Sequence, residues 1–474
     1  MGNIAGRKNE QELLAKLLAD NASSFVVVHG RRRVGKTYLI KEYFDNTFAF
    51  SLTGIANVNT AQQLANFNLV MQKYNATNEP FAPAKDWFTA FNQLSILLEN
   101  AVEGKKVVFL DELPWLDTSK SFFISALEHF WNSWASARKD IVLITCGSAA
   151  SWMINKLINN KGGLHNRVTH RIKIQPFTLA ETEEYFLSKN SKWERFQLSE
   201  IYMTCGGIPF YLNVFDTSKS IAQNVNKIFF EKNGLLRNEF VNLYKSLFKN
   251  SNHHELIVEA LSKGYKGLTR NEILKATGLS DGGTITNALN ELEESGFIRK
   301  YTPFNKSKKD SLYQLMDFYT MFYYQFIKNA RTTDENYWLN IQDSPKYRSW
   351  SGFAFERLCL AHIQEIKKAL GIAGVQTEAY SWRSKNAENG TQIDLVLDRR
   401  DQIINLFEIK FSMNEFLIDK QYEQNLRNKL AVFKSETKTR KAVFLSMLTT
   451  YGLKENNVAK ELIQNSLTMD SLFE

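Results

Sequence analysis

Three short runs of branched apolar residues stand out in the first third of the chain: Phe25–Val28 in "SFVVVHG", Val107–Leu110 in "KKVVFLDE" and Ile141–Ile144 in "DIVLITCGS". Runs this short and this apolar predict buried strands, and the segment after the first, "VGKTYLIKEYF", changes to a helical pattern. In the middle of the chain, "HHELIVEALSKGYKGLTRNEILKATGLSDGGTITNALNELEESGFIRK" predicts a helix, a second helix opened by a Thr269–Glu272 capping box and stopped at Gly278, a third helix, and then strands. Ile273 and Leu274 face a core there, Leu279 fills the turn, and Ile285, Leu289 and Leu292 form the stripe of the third helix. Further on, "YRSWSGFAFERLCLAHIQEIKKAL" is an amphipathic helix with Phe355, Leu358, Ile363 and Ile366 towards a core and Glu356 near its start. "GTQIDLVLDRRDQIINLFEIKF" reads with period two: Ile393, Leu395 and Leu397 on one face, Gln392, Asp394 and Val396 on the other. Phe407, Ile409 and Phe411 then alternate with Glu408 and Lys410. A hairpin about Arg399-Arg400-Asp401 sets Asp394, Glu408 and Lys410 side by side, as a metal site or as an ordinary solvated sheet face. A helical "LIDKQYEQNLRNKLAVF" and a strand "KAVFLSML" follow.

A length of 474 residues suggests about three domains. The 44% apolar and 23% charged fractions are those of a globular chain. The N-terminal "MGNIAGRKNEQELLAKLLAD" has no apolar core of a signal peptide, and "FYTMFYYQFI" (Phe318 to Ile327) is too short to cross a membrane, so a cytoplasmic protein without membrane contact is expected. Cys146, Cys205 and Cys359 are far apart and without metal spacing, and read as reduced core thiols. The net charge of +9 favours an anionic partner such as nucleic acid, or reflects a lysine-rich surface.

Candidate chemistry is sharpest after the first strand, where Gly30-x-x-x-x-Gly35-Lys36-Thr37 opens a helix. Glycines let backbone N–H groups turn inward on phosphates, Lys36 neutralises the β and γ phosphates of ATP, and the Thr37 hydroxyl is placed to ligate Mg²⁺. Arg31, Arg32, Arg33, Val34 and Tyr38 complete the nucleotide-binding stretch. The second strand ends in Asp111-Glu112: Asp111 is expected to hold Mg²⁺ through water, and Glu112 to orient the attacking water. Ser148, after the third strand, is a γ-phosphate sensor or a helix N-cap, and Arg167 is an arginine finger or a surface residue.

The order "GRKNEQELL", "GRRRVGKT", "FLDELPWL", "ITCGS", "IKIQPFTLAETEEYF", "CGGIPFYL" resembles the archaeal-type ATPases of the STAND branch of the AAA+ superfamily, over roughly the first half of the chain. That resemblance implies a P-loop parallel sheet over 1–180, Gly6 and Arg7 in the segment flanking the adenine, a helical lid over 181–245 carrying Gly207-Ile208-Pro209, and a winged helix next. The chain departs from the family pattern at Pro114, where a polar residue is usual, and at Asn166-Arg167, where a Gly-Arg pair is common; the role of Arg167 stays open.

The pattern over 246–335 is itself a helix-turn-helix with a wing. Its third helix begins Asp281-Gly282-Gly283-Thr284, leaving Asn287 and Asn290 as base-edge candidates and Glu291, Glu293 and Glu294 opposed to phosphate. Lys306, Lys308 and Lys309 on the wing are placed to track a nucleic-acid backbone, or the module serves packing alone. The helix, strand, strand, helix, strand order over 345–474 resembles the restriction-endonuclease-like PD-(D/E)XK fold, which archaeal-type ATPases often carry at this end. Asp394 and Glu408 are hard oxygen ligands suited to Mg²⁺ or Mn²⁺, Lys410 suits a water-positioning role, Glu356 completes the shell, and Gln421 and Tyr422 face the site. The expected protein is therefore an α/β multidomain ATPase whose nucleotide state regulates a Mg²⁺-dependent nuclease, with DNA ahead of RNA as partner and a homo-oligomer left open. The alternative is a STAND-type scaffold ATPase with an inactive, partner-binding C-terminal domain.

Overall fold

This computed structural model describes residues 4–75, 81–148, 150–159, 162–248, 250–264, 267–306, 308–330, 334–384 and 391–474. The chain divides into two compact units, Met1–Pro176 with Leu247–Lys249, and Phe177–Ser246 with Asn250–Glu474. Among the described residues no helix is long and apolar enough to cross a membrane. Cys146, Cys205 and Cys359 are buried, and among the described residues none is in a disulfide.

The first unit is built on a five-stranded sheet. Its strands are β1 (Ser24–Gly30), β2 (Phe50–Thr53), β3 (Lys106–Asp111), β4 (Ile141–Gly147) and β5 (His170–Ile174), in the order β2-β3-β4-β1-β5. Every pairing is parallel. The three apolar runs became the fully buried central strands β1, β3 and β4, as burial on both faces of a parallel sheet demands. The two edge strands were not legible as apolar runs, because β2 is four residues long and in β5 ("HRIKI") basic residues alternate with Ile172 and Ile174. Parallel pairing puts the C-terminal ends of β1, β3 and β4 on one edge of the sheet, the edge where such folds bind ligands. Gly30 is required there: it adopts φ +142°, and a Cβ on it would lie 2.3 Å from the Ile174 carbonyl oxygen of β5.

The second unit opens with helices that include Leu179–Ser188 and Arg195–Cys205. Three helices follow: α1 (Ser251–Lys263), α2 (Arg270–Thr277) and α3 (Gly283–Glu294). The Thr269–Glu272 capping box forms, and Gly278 ends α2 at φ 70°. Ile273, Ile285, Leu289 and Leu292 are buried as the stripe predicts. Strands β6 (Leu268–Thr269), β7 (Ile298–Tyr301) and β8 (Leu312–Leu315) make an antiparallel sheet of order β6-β8-β7.

After α4 (Pro345–Ala361) comes a second five-stranded sheet of β9 (Thr377–Arg383), β10 (Gln392–Arg399), β11 (Ile403–Lys410), β12 (Ala442–Thr449) and β13 (Asn465–Thr468), with α5 (Lys420–Thr437) between β11 and β12. Its order is β13-β12-β11-β10-β9, antiparallel from β9 to β11 and parallel from β11 to β13. The strict alternation read along Gln392–Leu397 fails. A register shift against β9 between Ile393 and Val396 inserts a bulge, so Val396 joins Ile393 in one apolar cluster instead of opposing it. Alternation does hold on β11, but both faces are covered. Phe411 packs on Phe355 of α4 at 5.3 Å, and Leu426 and Phe433 of α5 share a core with Ile404 and Leu406. An ordinary solvated face is thereby excluded at Glu408, which is only 4% exposed.

Candidate functional site

At the edge of the first sheet, the chain leaves β1 through a loop in which Arg33 (φ 71°) and Gly35 (φ 88°) are left-handed, and the helix Lys36–Tyr43 begins. Such a turn points successive N–H groups inward and forms an anion nest. Lys36 is buried; its ammonium donates to the carbonyls of Gly30 (3.1 Å) and Arg31 (2.8 Å). Burial lowers its pKa, against the pull of Glu112 and Asp111. Thr37 Oγ1 donates to both Asp111 oxygens, at 2.9 and 3.1 Å. A hydroxyl and a buried carboxylate so joined are a donor set that fits Mg²⁺.

Glu112 sits in a left-handed conformation at φ 47°, costly for a residue with a Cβ, and its Oε2 accepts from Ser148 Oγ at 3.0 Å. Ser148 therefore meets Glu112; the helix Ala150–Met153 follows, and residue 149 between them lies outside the described residues. Arg7 is buried and donates to the Val34 carbonyl at 3.2 Å, which ties the Gly6-Arg7 segment to the loop. Val34 and Arg31 are buried, Arg33 is half-buried, Arg32 and Tyr38 are exposed, and Arg167 is exposed as well. His29, one residue before Gly30, was not anticipated: burial, then Lys173, Lys36 and Arg171, drive its pKa down to about 4.

In the second unit, the pairing of Leu395 with Phe407, carried one residue further, sets Asp394 opposite Glu408. Glu408 Oε1 accepts from Tyr422 Oη at 2.7 Å and lies 3.1 Å from Lys410 Nζ, and Oε2 accepts from Lys429 Nζ at 2.7 Å. Burial pushes the Glu408 carboxyl up, but Lys429 and Lys410 outweigh it and hold the group below its usual value. Asp394 has, among the described residues, no ion pair of its own and accepts from Gln392 Nε2 at 3.4 Å; burial and the Glu408 charge raise it to about 6, against Lys429 and Lys410. Glu356, on α4, is raised to about 8 by burial and by Asp394, against Arg357 and Lys410. Asp394, Glu408, Lys410 and Glu356 are thus electrostatically one cluster. Among the described residues, however, no group of three or more His, Cys, Asp and Glu is arranged to hold a metal ion.

Comparison with known proteins bears on the first site. Residues 5–215 match a family model described as an ATPase domain predominantly from Archaea. In fold the chain is similar to the Walker-type ATPase of Pyrococcus abyssi, with a TM-score of 0.51 at 18% identity, over 68% of this chain and 96% of that one. An uncharacterized protein of Methanocaldococcus jannaschii is 27% identical over 409 residues, 85% of this chain and 87% of its own, so that likeness runs well past the ATPase domain. An uncharacterized ATP-binding protein of the same organism is 45% identical over 43 residues, 9% of this chain and 73% of its own.

Outside the ATPase domain, two groups of residues behave unlike their sequence reading. Gln421 is exposed and only Tyr422 reaches the acidic cluster. Lys429 was missed, although Tyr422, Leu426 and Lys429 follow helical spacing and share one face of α5. In the loop between β7 and β8, Phe304 is buried against Tyr380 and Phe433, so part of this loop packs on the C-terminal sheet. Lys306 and Lys309 are exposed, and the side chain of Lys308 lies outside the described residues. Asn287 and Asn290 are exposed on α3, while Glu291 pairs with His254 at 2.7 Å.

Proposed function

We propose that the ATPase domain hydrolyses ATP and that its nucleotide state governs a Mg²⁺- or Mn²⁺-dependent nuclease centred on Asp394, Glu408 and Lys410. In this reading 181–245 is a helical lid, 246–335 a winged helix and 345–474 a restriction-endonuclease-like domain. Three helices followed by a small antiparallel sheet support the second of these. A mixed sheet flanked by α4 and α5 supports the third.

In the ATPase domain, Lys36 exchanges its two loop carbonyls for the β and γ phosphates. Thr37 and Asp111 would hold Mg²⁺. Glu112 orients the attacking water, and its bond from Ser148 fixes the carboxylate when no γ-phosphate competes for that hydroxyl.

The observation that carries the nuclease reading is the buried Glu408 with Lys410 3.1 Å away, gathered with Asp394 and Glu356, whose carboxyls burial and neighbouring acids push up. Crowded acids of this kind are what a hard divalent cation relieves. Asp394 and Glu408 would hold the ion, with Lys429 withdrawing from Glu408; a bound ion supplies polarisation of the scissile phosphate. Lys410 positions the water from the same strand face. The alternative, a scaffold ATPase, is favoured by one specific observation: Glu408 is already satisfied by Tyr422, Lys410 and Lys429.

The test presents single- and double-stranded DNA and RNA to the full chain with Mg²⁺ or Mn²⁺, with and without ATP. Cleavage by wild type and its loss in Asp394→Ala, Glu408→Ala and Lys410→Ala are expected. Absence of cleavage by wild type, or undiminished cleavage by Asp394→Ala, establishes the scaffold reading instead.

A further inference from the structure

A cavity of about 190 Å³ lies between the β6–β8 sheet and the start of the C-terminal sheet, lined in part by Arg299, Arg357, Gln392, Trp382, Glu356 and Asp394. Two features make it unusual. Arg357, on α4, is 4% exposed, and its Nε has no hydrogen-bond partner among the described residues. Arg299, on β7, uses its Nε on Gln314 Oε1 at 2.8 Å and lays its guanidinium over the Tyr301 ring at 4.7 Å. Neither arginine has an ion-pair partner within 4 Å among the described residues. The two repel each other: burial and then Arg357 bring Arg299 down to about 10.

Arg357 is buried and Arg299 half-buried, and although Glu356 and Asp394 partly offset the charge of Arg357, two guanidiniums facing one cavity favour an anion that joins them. Guanidinium forks match phosphate oxygens in geometry as well as charge. Gln392 lies on the same wall, with its Nε2 donating to Asp394 Oδ1 at 3.4 Å and its buried Oε1 without a partner among the described residues. The space exceeds several waters at ~30 Å³ each, enough for a phosphate group. Arg383 also lines the cavity and is exposed.

We propose that this cavity binds one phosphate of a nucleic-acid strand through Arg299 and Arg357, next to the Asp394–Glu408 face. The identity of the ligand rests on the nuclease reading, because Asp394 and Glu356 line the same cavity and a strand that reaches them brings a neighbouring phosphate to the arginines. Net charge of +9 agrees with an anionic polymer.

The test is fluorescence anisotropy of a labelled single-stranded DNA oligonucleotide on the full chain in EDTA, across a salt series, with inorganic phosphate and a nucleoside monophosphate as competitors. Arg299→Gln should weaken binding about 10-fold and lower the salt slope by about 0.7, one phosphate contact fewer, whereas Arg357→Lys keeps the charge but loses the guanidinium fork and should weaken binding about 10-fold with little change of slope. Circular dichroism and thermal unfolding establish that each variant is folded, and if Arg357→Lys is not, Arg299→Gln decides alone. Unchanged affinity and slope in a folded Arg299→Gln protein overturn the proposal. So does an effect confined to inorganic phosphate. Because the measurement excludes metal, it separates the two claims: a slope change without any metal-dependent cleavage keeps the pocket and removes the nuclease, and cleavage with an unchanged slope does the reverse.

Discussion

Lys36 in this structure is a buried ammonium satisfied by two main-chain carbonyls and, among the described residues, by no carboxylate within bonding distance, a state that phosphate improves. Lys36→Ala should weaken ATP binding at least ~10-fold, because it removes a charge-assisted bond to phosphate; isothermal titration measures it. Glu112→Gln should bind ATP normally and lose about 100-fold or more in turnover, read by phosphate release. Normal turnover in that variant removes Glu112 from the chemistry. Lys429 marks where the nuclease and scaffold accounts part. Lys429→Met strips one partner from the buried Glu408 and should lower the thermal midpoint, by about 3 kcal/mol of stability at most with Lys410 still in place. If Asp394 and Glu408 are metal ligands, Mn²⁺ should restore that midpoint more strongly than it stabilises wild type. Indifference to Mn²⁺ favours the scaffold.

Elements explain what the sequence made legible. Central strands β1, β3 and β4 were readable because burial on both faces forces unbroken apolar runs, and the capping box at Thr269 with the stop at Gly278 fixed α2. The hairpin about Arg399-Arg400-Asp401 was readable, and its ladder pairs Leu395 with Phe407 beside the two acids, even though a bulge on β10 defeated the alternation there. The sequence signals Lys429 only through its helical spacing from Tyr422, and Arg299 reaches its site through tertiary packing alone, since no local spacing joins it to Arg357. Two predictions belong at this scale. Gly30→Ala forces a Cβ against the Ile174 carbonyl and should cost about 3 kcal/mol in denaturant unfolding, since the β1–β5 approach cannot widen without breaking its ladder. His29 sets a pH window. Its folded pKa near 4 lies below the ordinary value of 6.5, so the neutral form is the one folding favours. Stability of the ATPase domain is complete above 6.5 and declines as pH falls towards 4, because the unfolded chain takes up the proton first. Replacing His29 with Asn should flatten that decline in thermal melts between these two pH values; an unaltered slope assigns the acid sensitivity to other groups.

The whole molecule joins a P-loop ATPase domain to a second unit whose acidic cluster and arginine-lined cavity lie together around α4, β10 and β11. The central claim is that the nucleotide held by the first governs phosphodiester cleavage in the second. If it is right, the two chemistries are separable by substitution but linked by ligand: Asp394→Ala should stop cleavage and leave ATP turnover in place, whereas ATP binding alone should alter cleavage. The most direct measurement is the initial rate of oligonucleotide cleavage by Glu112→Gln protein saturated with ATP, compared with the same protein saturated with ADP, at fixed Mg²⁺. Trapped ATP without hydrolysis should change the rate about 10-fold or more relative to ADP, a coupling of about 1.4 kcal/mol. Equal cleavage rates in the two nucleotide states, or no cleavage in either or by wild type, contradict the account.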